Sequence, residues 1–117
     1  AETFFASYRS DRESTRESEY LYLDSIIASA EVSEESRLSA EQQKLALVMR
    51  MEQELTLEAL IKAKGFEDCL AIINGENLNV IVKTNGLLTN EVAQIKEIAV
   101  NESGFSAENI IIVEKNH

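Results

Sequence analysis

The spacing of apolar positions changes character twice along this 117-residue chain. From residue 3 to about 31 there is no Gly or Pro, and a run rich in Glu, Arg, Ser and Ala predicts a helix about 40 Å long at about 1.5 Å per residue. Its apolar content lies at the two ends. Leu23, Ile26, Ile27 and Ala30 recur at helical spacing and are expected to pack inward, whereas Arg9 to Glu19 contains no large apolar residue and has little reason to be buried. Ser33 is placed to cap a second helix, with Glu34 and Glu35 at the positive end of its dipole. That helix is predicted from about Glu34 to Lys64, closed by Gly65 in the left-handed position after a helix. Leu38, Leu45, Val48 and Met49 define one apolar face, and Leu57, Leu60 and Ile61 define another. Two packing partners are therefore expected, the first helix and a small sheet.

Beyond Gly65 the period becomes that of strands. Cys69 to Ile73 is a short apolar run, Asn74-Gly75 is a turn signal, and Leu78 to Lys83 carries the β-branched Val80, Ile81 and Val82, which together predict a β-hairpin. Thr89 is placed to cap a third helix with Val92, Ile95, Ile98 and Ala99 on its buried face and Gly104 at its end. Asn109 to Glu114, with Ile110, Ile111, Ile112 and Val113, is too short for a helix and strongly β-forming. The fold class is α+β: a long N-terminal helix followed by an α-β-β-α-β motif with a three-stranded sheet. Residues 1–33 form the first helix and turn, and residues 34–117 form the motif, the two making one compact unit. A crossover of preferred hand is expected to bring the last strand beside the first, in spatial order 2-1-3 with the second and third strands as edges. Helices two and three should cover one face of the sheet. The unbroken apolar runs of the first and last strands imply that the other face is covered by the first helix or used by a partner.

Composition narrows the chemistry. Against 11 Lys and Arg stand 21 Asp and Glu, a net charge of −10, which disfavours phosphate backbones and anionic lipid. The same element order occurs in nucleic-acid-binding KH modules, but their GXXG loop is missing and the charge is wrong. A single Cys, Cys69, forms no internal disulfide, and a single His, His117 at the last position, cannot build a metal site or a Ser-His-Asp triad. No catalytic, cofactor-binding or metal-ligating set is assigned. No stretch approaches the roughly 20 apolar residues of a membrane span, and with no initiator Met the chain reads as an excised soluble piece of a longer protein.

Two features remain as candidate sites. Five of the seven aromatic residues, Phe4, Phe5, Tyr8, Tyr20 and Tyr22, lie on the first helix, where Arg9, Arg12 and Arg16 form a stripe at three- and four-residue spacing. Tyr and Arg are enriched at interface hot spots, so Phe5, Tyr8, Arg9, Arg12, Arg16 and Tyr20 are candidate partner-binding residues. The competing reading pairs these arginines within the chain, with Glu52 and Glu54 across the hairpin or with Glu13 and Glu19 on the same helix. The second feature is the predicted edge strand, offering backbone groups at Asn79, Ile81 and Lys83 for strand addition. Paired carboxylates at Glu34/Glu35, Glu52/Glu54 and Glu67/Asp68 leave a small carboxylate-dependent hydrolase as an alternative, and an acidic interaction module as another.

Phe5-Ala6-Ser7-Tyr8-Arg9 leading into an Arg/Glu/Ser helix, Ser25-Ile26-Ile27-Ala28-Ser29, and above all Leu57 to Asp68, LEALIKAKGFED, resemble the extracytoplasmic domain of the stage III sporulation protein AH family. The resemblance spans nearly the whole chain and implies a ring-building motif related to the YscJ and FliF proteins, with no enzymatic activity. It further implies anchoring in the mother-cell membrane with the domain facing the space around the engulfed forespore. The implied partner is stage II sporulation protein Q, in a channel or feeding-tube complex with rings of the tethered domain. The family's membrane helix and linker have no counterpart in this sequence.

Overall fold

The computed structural model describes residues 3–117. Its elements are α1 (Phe4–Ala28), α2 (Glu34–Lys62), β1 (Asp68–Asn74), β2 (Asn77–Lys83), α3 (Thr89–Ser103) and β3 (Ile110–Lys115), with a 3-10 turn at Ala107–Asn109 before β3. The α+β class and the element order agree with the sequence reading. The chain forms two compact units, residues 1–50 and 51–117, that divide between Arg50 and Met51, inside α2.

In the first unit, the Thr3 hydroxyl caps α1 by accepting the Ala6 N–H at 3.1 Å. The helix stops at Ala28, so Ala30 lies past its end and is exposed, contrary to the inward packing expected of it. Leu23 from α1 packs with Ala40 and Leu47 from α2, flanked by Tyr20, Ile26 and Ile27. The last turn of α1 leaves carbonyls without helical partners, and Arg37 satisfies two nearby oxygens: its guanidinium donates to Ile27 O at 3.2 Å and Ser29 O at 3.0 Å. The same guanidinium pairs with Glu34 at 2.6 Å, and Lys44 reaches Asp24 at 2.6 Å. Ser33 caps α2 as expected, its hydroxyl accepting the Ser36 N–H at 3.1 Å.

Three of the four residues of the apolar face expected on this half of α2 point the other way, and Val48 alone is half-buried. Leu38, Leu45 and Met49 are 49%, 60% and 60% exposed, while Ala40 and Leu47 are buried. The face turned toward α1 is built from the smaller Ala40, the long stems of Arg37 and Lys44, and Leu47. Counting large apolar residues missed it because half of its members are polar.

The second unit is a three-stranded sheet with α3 and the end of α2 on one face. Alternate residues Cys69, Ala71 and Ile73 of β1, Leu78, Val80 and Val82 of β2, and Ile110 of β3 meet Leu57 and Ile61 of α2 and Ile95 and Ala99 of α3 in one core. Leu60, expected on the same face as Leu57 and Ile61, is 40% exposed. The hairpin turns through Gly75-Glu76, with Asn74 opposite Asn77; Gly75 has φ +65, the positive value that a two-residue hairpin loop needs at its first position. α3 begins at Thr89 and is not capped by it. The Leu88 carbonyl accepts from Glu91 N–H and Val92 N–H, both at 3.0 Å, and the Glu91 carboxylate folds back onto Leu88 N–H at 2.9 Å.

The strand order is β1-β2-β3, not 2-1-3: β2 pairs antiparallel with β1 and parallel with β3, making it the central strand. The physical reason lies on the outer side of β1, where Glu54 and Glu58 of α2 occupy the position another strand would need. The Glu58 carboxylate accepts Ala71 N–H at 2.9 Å and the Glu54 carboxylate accepts Ile73 N–H at 2.8 Å. Asn79, Ile81 and Lys83 are therefore not on an edge, since each faces a residue of β1 and one of β3.

Two stability predictions follow from the core and the caps. Leu57→Ala, at a fully buried position, should lower unfolding free energy by about 2–5 kcal/mol in urea titration. Gly104→Ala, at φ +74 with open space around the new Cβ, should cost about 1–2 kcal/mol from backbone conformation alone. A loss at residue 104 as large as that at residue 57 would contradict this account.

Candidate partner-binding surfaces

Among the described residues the sheet has one edge sealed and one open. On β1 the outward-facing residues are Cys69, Ala71 and Ile73, and all three of their N–H groups are taken: the first by the Asp68 carboxylate at 2.8 Å, the others by Glu58 and Glu54. On β3 the register places Val80 opposite Ile112. The Ile110 N–H bonds backward to Ala107 O and the Lys115 carbonyl accepts Thr84 N–H at 2.9 Å, which fixes which residues turn inward. By alternation, Ile112 and Glu114 direct their backbone groups away from β2, to the free side of the sheet.

The face of the sheet opposite the core is apolar in its middle. Register lines up Leu70, Ile81 and Val113 in one row, Ile72, Asn79 and Ile111 in the next, and Asp68, Lys83 and Lys115 in a third. Leu70 is buried, Ile72, Asn79, Ile81 and Lys83 are half-buried, and Ile111 and Val113 are 58% and 42% exposed. The exposed apolar area thus grows from β1 toward β3, beside the open edge. Lys83 pairs with Glu67 at 3.2 Å.

The candidates on α1 are arranged differently from the expectation. Phe5, Arg9, Arg12, Arg16, Tyr20, Leu23 and Ile27 follow one another at three- and four-residue spacing, and all are buried or half-buried. The arginine stripe therefore continues the inward face of the helix through the stretch expected to stand free, and none of the three arginines is without an intrachain interaction. Phe5, 1% exposed, has no surface to offer a partner. Tyr8 stacks on Phe4 with centroids 6.1 Å apart, and the Arg12 guanidinium lies 5.8 Å from the Tyr8 ring centroid. Tyr8, Arg9, Arg12, Arg16 and Tyr20 keep part of their surface in solvent.

The three carboxylate pairs do not converge on a reaction centre. Glu34 is held by Arg37, Glu67 by Lys83, and Asp68 by the amide of Cys69. Glu54, read from the sequence as solvated, is 2% exposed, and Glu58, not singled out at all, is 4% exposed. Each holds a backbone amide, and neither lines the groove at Glu19, Leu23, Gln43, Ala46, Leu47 and Arg50 or the one beside Thr84, Asn85 and Glu114. The signal for these two was present: Glu54, Leu57, Glu58 and Ile61 share one helical face, so the glutamates interleave with core leucine and isoleucine. Among the described residues no cluster of three or more His, Cys, Asp or Glu is arranged to hold a metal ion, and no helix is long and apolar enough to cross a membrane.

A helix pair feeding a β-β-α-β sheet, with α3 and the end of α2 on one face of the sheet, is a fold of the ring-building-motif class. The chain belongs to the SpoIIIAH-like protein family, whose model matches residues 1–112. It is 30% identical over 107 residues to stage III sporulation protein AH of Bacillus subtilis (strain 168), covering 82% of this chain and 49% of that protein, so it spans about half the length of this curated relative. Among solved structures it is similar to a chain of the SpoIIQ-SpoIIIAH pore-forming complex, with TM-score 0.87, 25% identity and coverage of 99% of this chain and 100% of the other. It is also similar to EscJ of the enteropathogenic E. coli type III secretion system, with TM-score 0.55, 26% identity and coverage of 62% and 50%.

The reversed face of α2 gives a direct check. Leu45→Lys should change stability by less than about 0.5 kcal/mol, because the side chain already faces water. Leu47→Ala should cost about 2–5 kcal/mol in the same denaturation assay. A large loss at residue 45 would show that this face is packed after all.

Proposed function

We propose that this chain is the partner-binding and assembly domain of a structural component in a channel or feeding-tube complex between mother cell and forespore. On this reading the whole protein is anchored in the mother-cell membrane, with the domain facing the space around the engulfed forespore, and it performs no catalysis. The partner is stage II sporulation protein Q. Support comes from family membership and from the likeness, along nearly the full chain, to a protein solved in complex with SpoIIQ.

The single observation that carries the binding mode is the asymmetry of the sheet. With the amides of β1 held by its own carboxylates, the backbone groups of Ile112 and Glu114 are those available for an added strand. Ile111 and Val113, with Asn79, Ile81 and Lys83 of the neighbouring strand, supply an apolar floor with a basic border beside that edge. The solvent-facing parts of Tyr8, Arg9, Arg12, Arg16 and Tyr20 form a second contact on α1, where an aromatic and guanidinium surface suits hot-spot contacts. Phe5 acts only by supporting that helix from inside. Rings of the domain form when tethering to a membrane raises its effective concentration, which can substitute for intrinsic affinity.

Binding of the purified domain to the extracytoplasmic domain of stage II sporulation protein Q, followed by calorimetry, tests this reading. Ile111→Lys with Val113→Lys should weaken binding tenfold or more, equivalent to about 1.4 kcal/mol, and Glu114→Pro should do so by removing an edge donor. Tyr8→Ala with Arg9→Ala and Arg12→Ala should weaken it by a similar factor. Full affinity in the β3 variants would remove the strand-addition mode, and no binding by the unaltered domain would remove the partner assignment.

A further inference from the structure

Glu54 and Glu58 are buried carboxylates that hold the β1 amides, and they touch neither of the surfaces proposed above for the partner. Their spacing matches what they bind. Four residues of α2 rise about 6 Å, and two residues of β1 span about 6.6 Å, so successive turns of the helix meet alternate amides of the strand. The chains run in opposite senses: Glu54 meets Ile73 and Glu58 meets Ala71. One turn further along α2 the position is Lys62, which has no acceptor, and there the strand seals itself, with Asp68 taking the Cys69 amide. The Cys69 thiol also approaches the Glu58 carbonyl oxygen at 3.5 Å, adding a contact between the same helix and strand.

We infer that Glu54 and Glu58 seal the β1 edge against a second copy of this chain. An open strand edge presents unpaired donors and acceptors that template pairing with another chain. A three-stranded sheet with both edges open could join β1 of one copy to β3 of the next without limit. With β1 closed, sheet pairing between copies ends at β3 against β3, an isologous pair that stops at two. Any ring of many copies is then built through faces other than strand edges, and β3 stays available to a different protein. The inference stands on this geometry alone and does not require that the partner be stage II sporulation protein Q.

The test compares three forms of the domain by sedimentation velocity over a range of concentrations. Glu54→Gln with Glu58→Gln keeps a side-chain acceptor at each site and should sediment as the unaltered domain does. Glu54→Ala with Glu58→Ala removes both acceptors and should shift to larger species as concentration rises. A folded Ala double variant that sediments as the unaltered domain overturns the inference, as does self-association of the Gln form equal to that of the Ala form. Hydrogen exchange of the unaltered domain gives a readout that needs no variant to fold. The Ala71 and Ile73 amides should exchange as slowly as amides of the central strand β2, and fast exchange at either would show that the seal does not exist.

Discussion

Two hydrogen bonds that backbone amides of β1 donate to glutamates of α2 set the arrangement of the second unit. A carboxylate withdrawn from water is costly unless donors replace its hydration, and a buried amide at a strand edge is costly unless it finds an acceptor. Each group here answers the other's need, at 2.9 Å for Glu58 and 2.8 Å for Glu54. Two such bonds one helical turn apart fix both the height and the rotation of the helix over the strand. Leu57 and Ile61, on the same face, are thereby carried into the core against Cys69, Ala71 and Ile73.

From that constraint the sheet order follows. A strand cannot pair where a helix already occupies the edge, so the crossover through α3 delivers β3 to the other side of β2. What remains open among the described residues is the β3 edge, with an apolar face beside it. The net charge of −10 adds like-charge repulsion between copies.

Much of the fold was legible from periodicity. Ser33, Gly75 and Gly104 marked a helix start, a hairpin and a helix end because each answers a local backbone requirement that does not depend on the rest of the chain. Family resemblance carried by residues 57–68 was legible too, and the family match bears it out. What the sequence concealed were features decided by polar residues in apolar settings. Arg37 and Lys44 line the inward side of α2 while Leu38 and Leu45 face water, so a rule that sorts by hydrophobicity selected the wrong face. Arg9, Arg12 and Arg16 followed the same logic on α1. Strand order was misjudged because edge sealing depends on two glutamates distant in sequence from the strand they cap, and the assignment of Asn79, Ile81 and Lys83 to an edge fell with it.

The central claim is that one edge of this sheet is closed from within and the other is reserved for a partner. Residue-resolved hydrogen exchange of the domain, alone and with the extracytoplasmic domain of stage II sporulation protein Q, addresses both halves at once. The account predicts new protection at the Ile112 and Glu114 amides on partner addition, with Ala71 and Ile73 already protected and unchanged. Protection gained at Ala71 and Ile73, with Ile112 and Glu114 still exchanging freely, would contradict it.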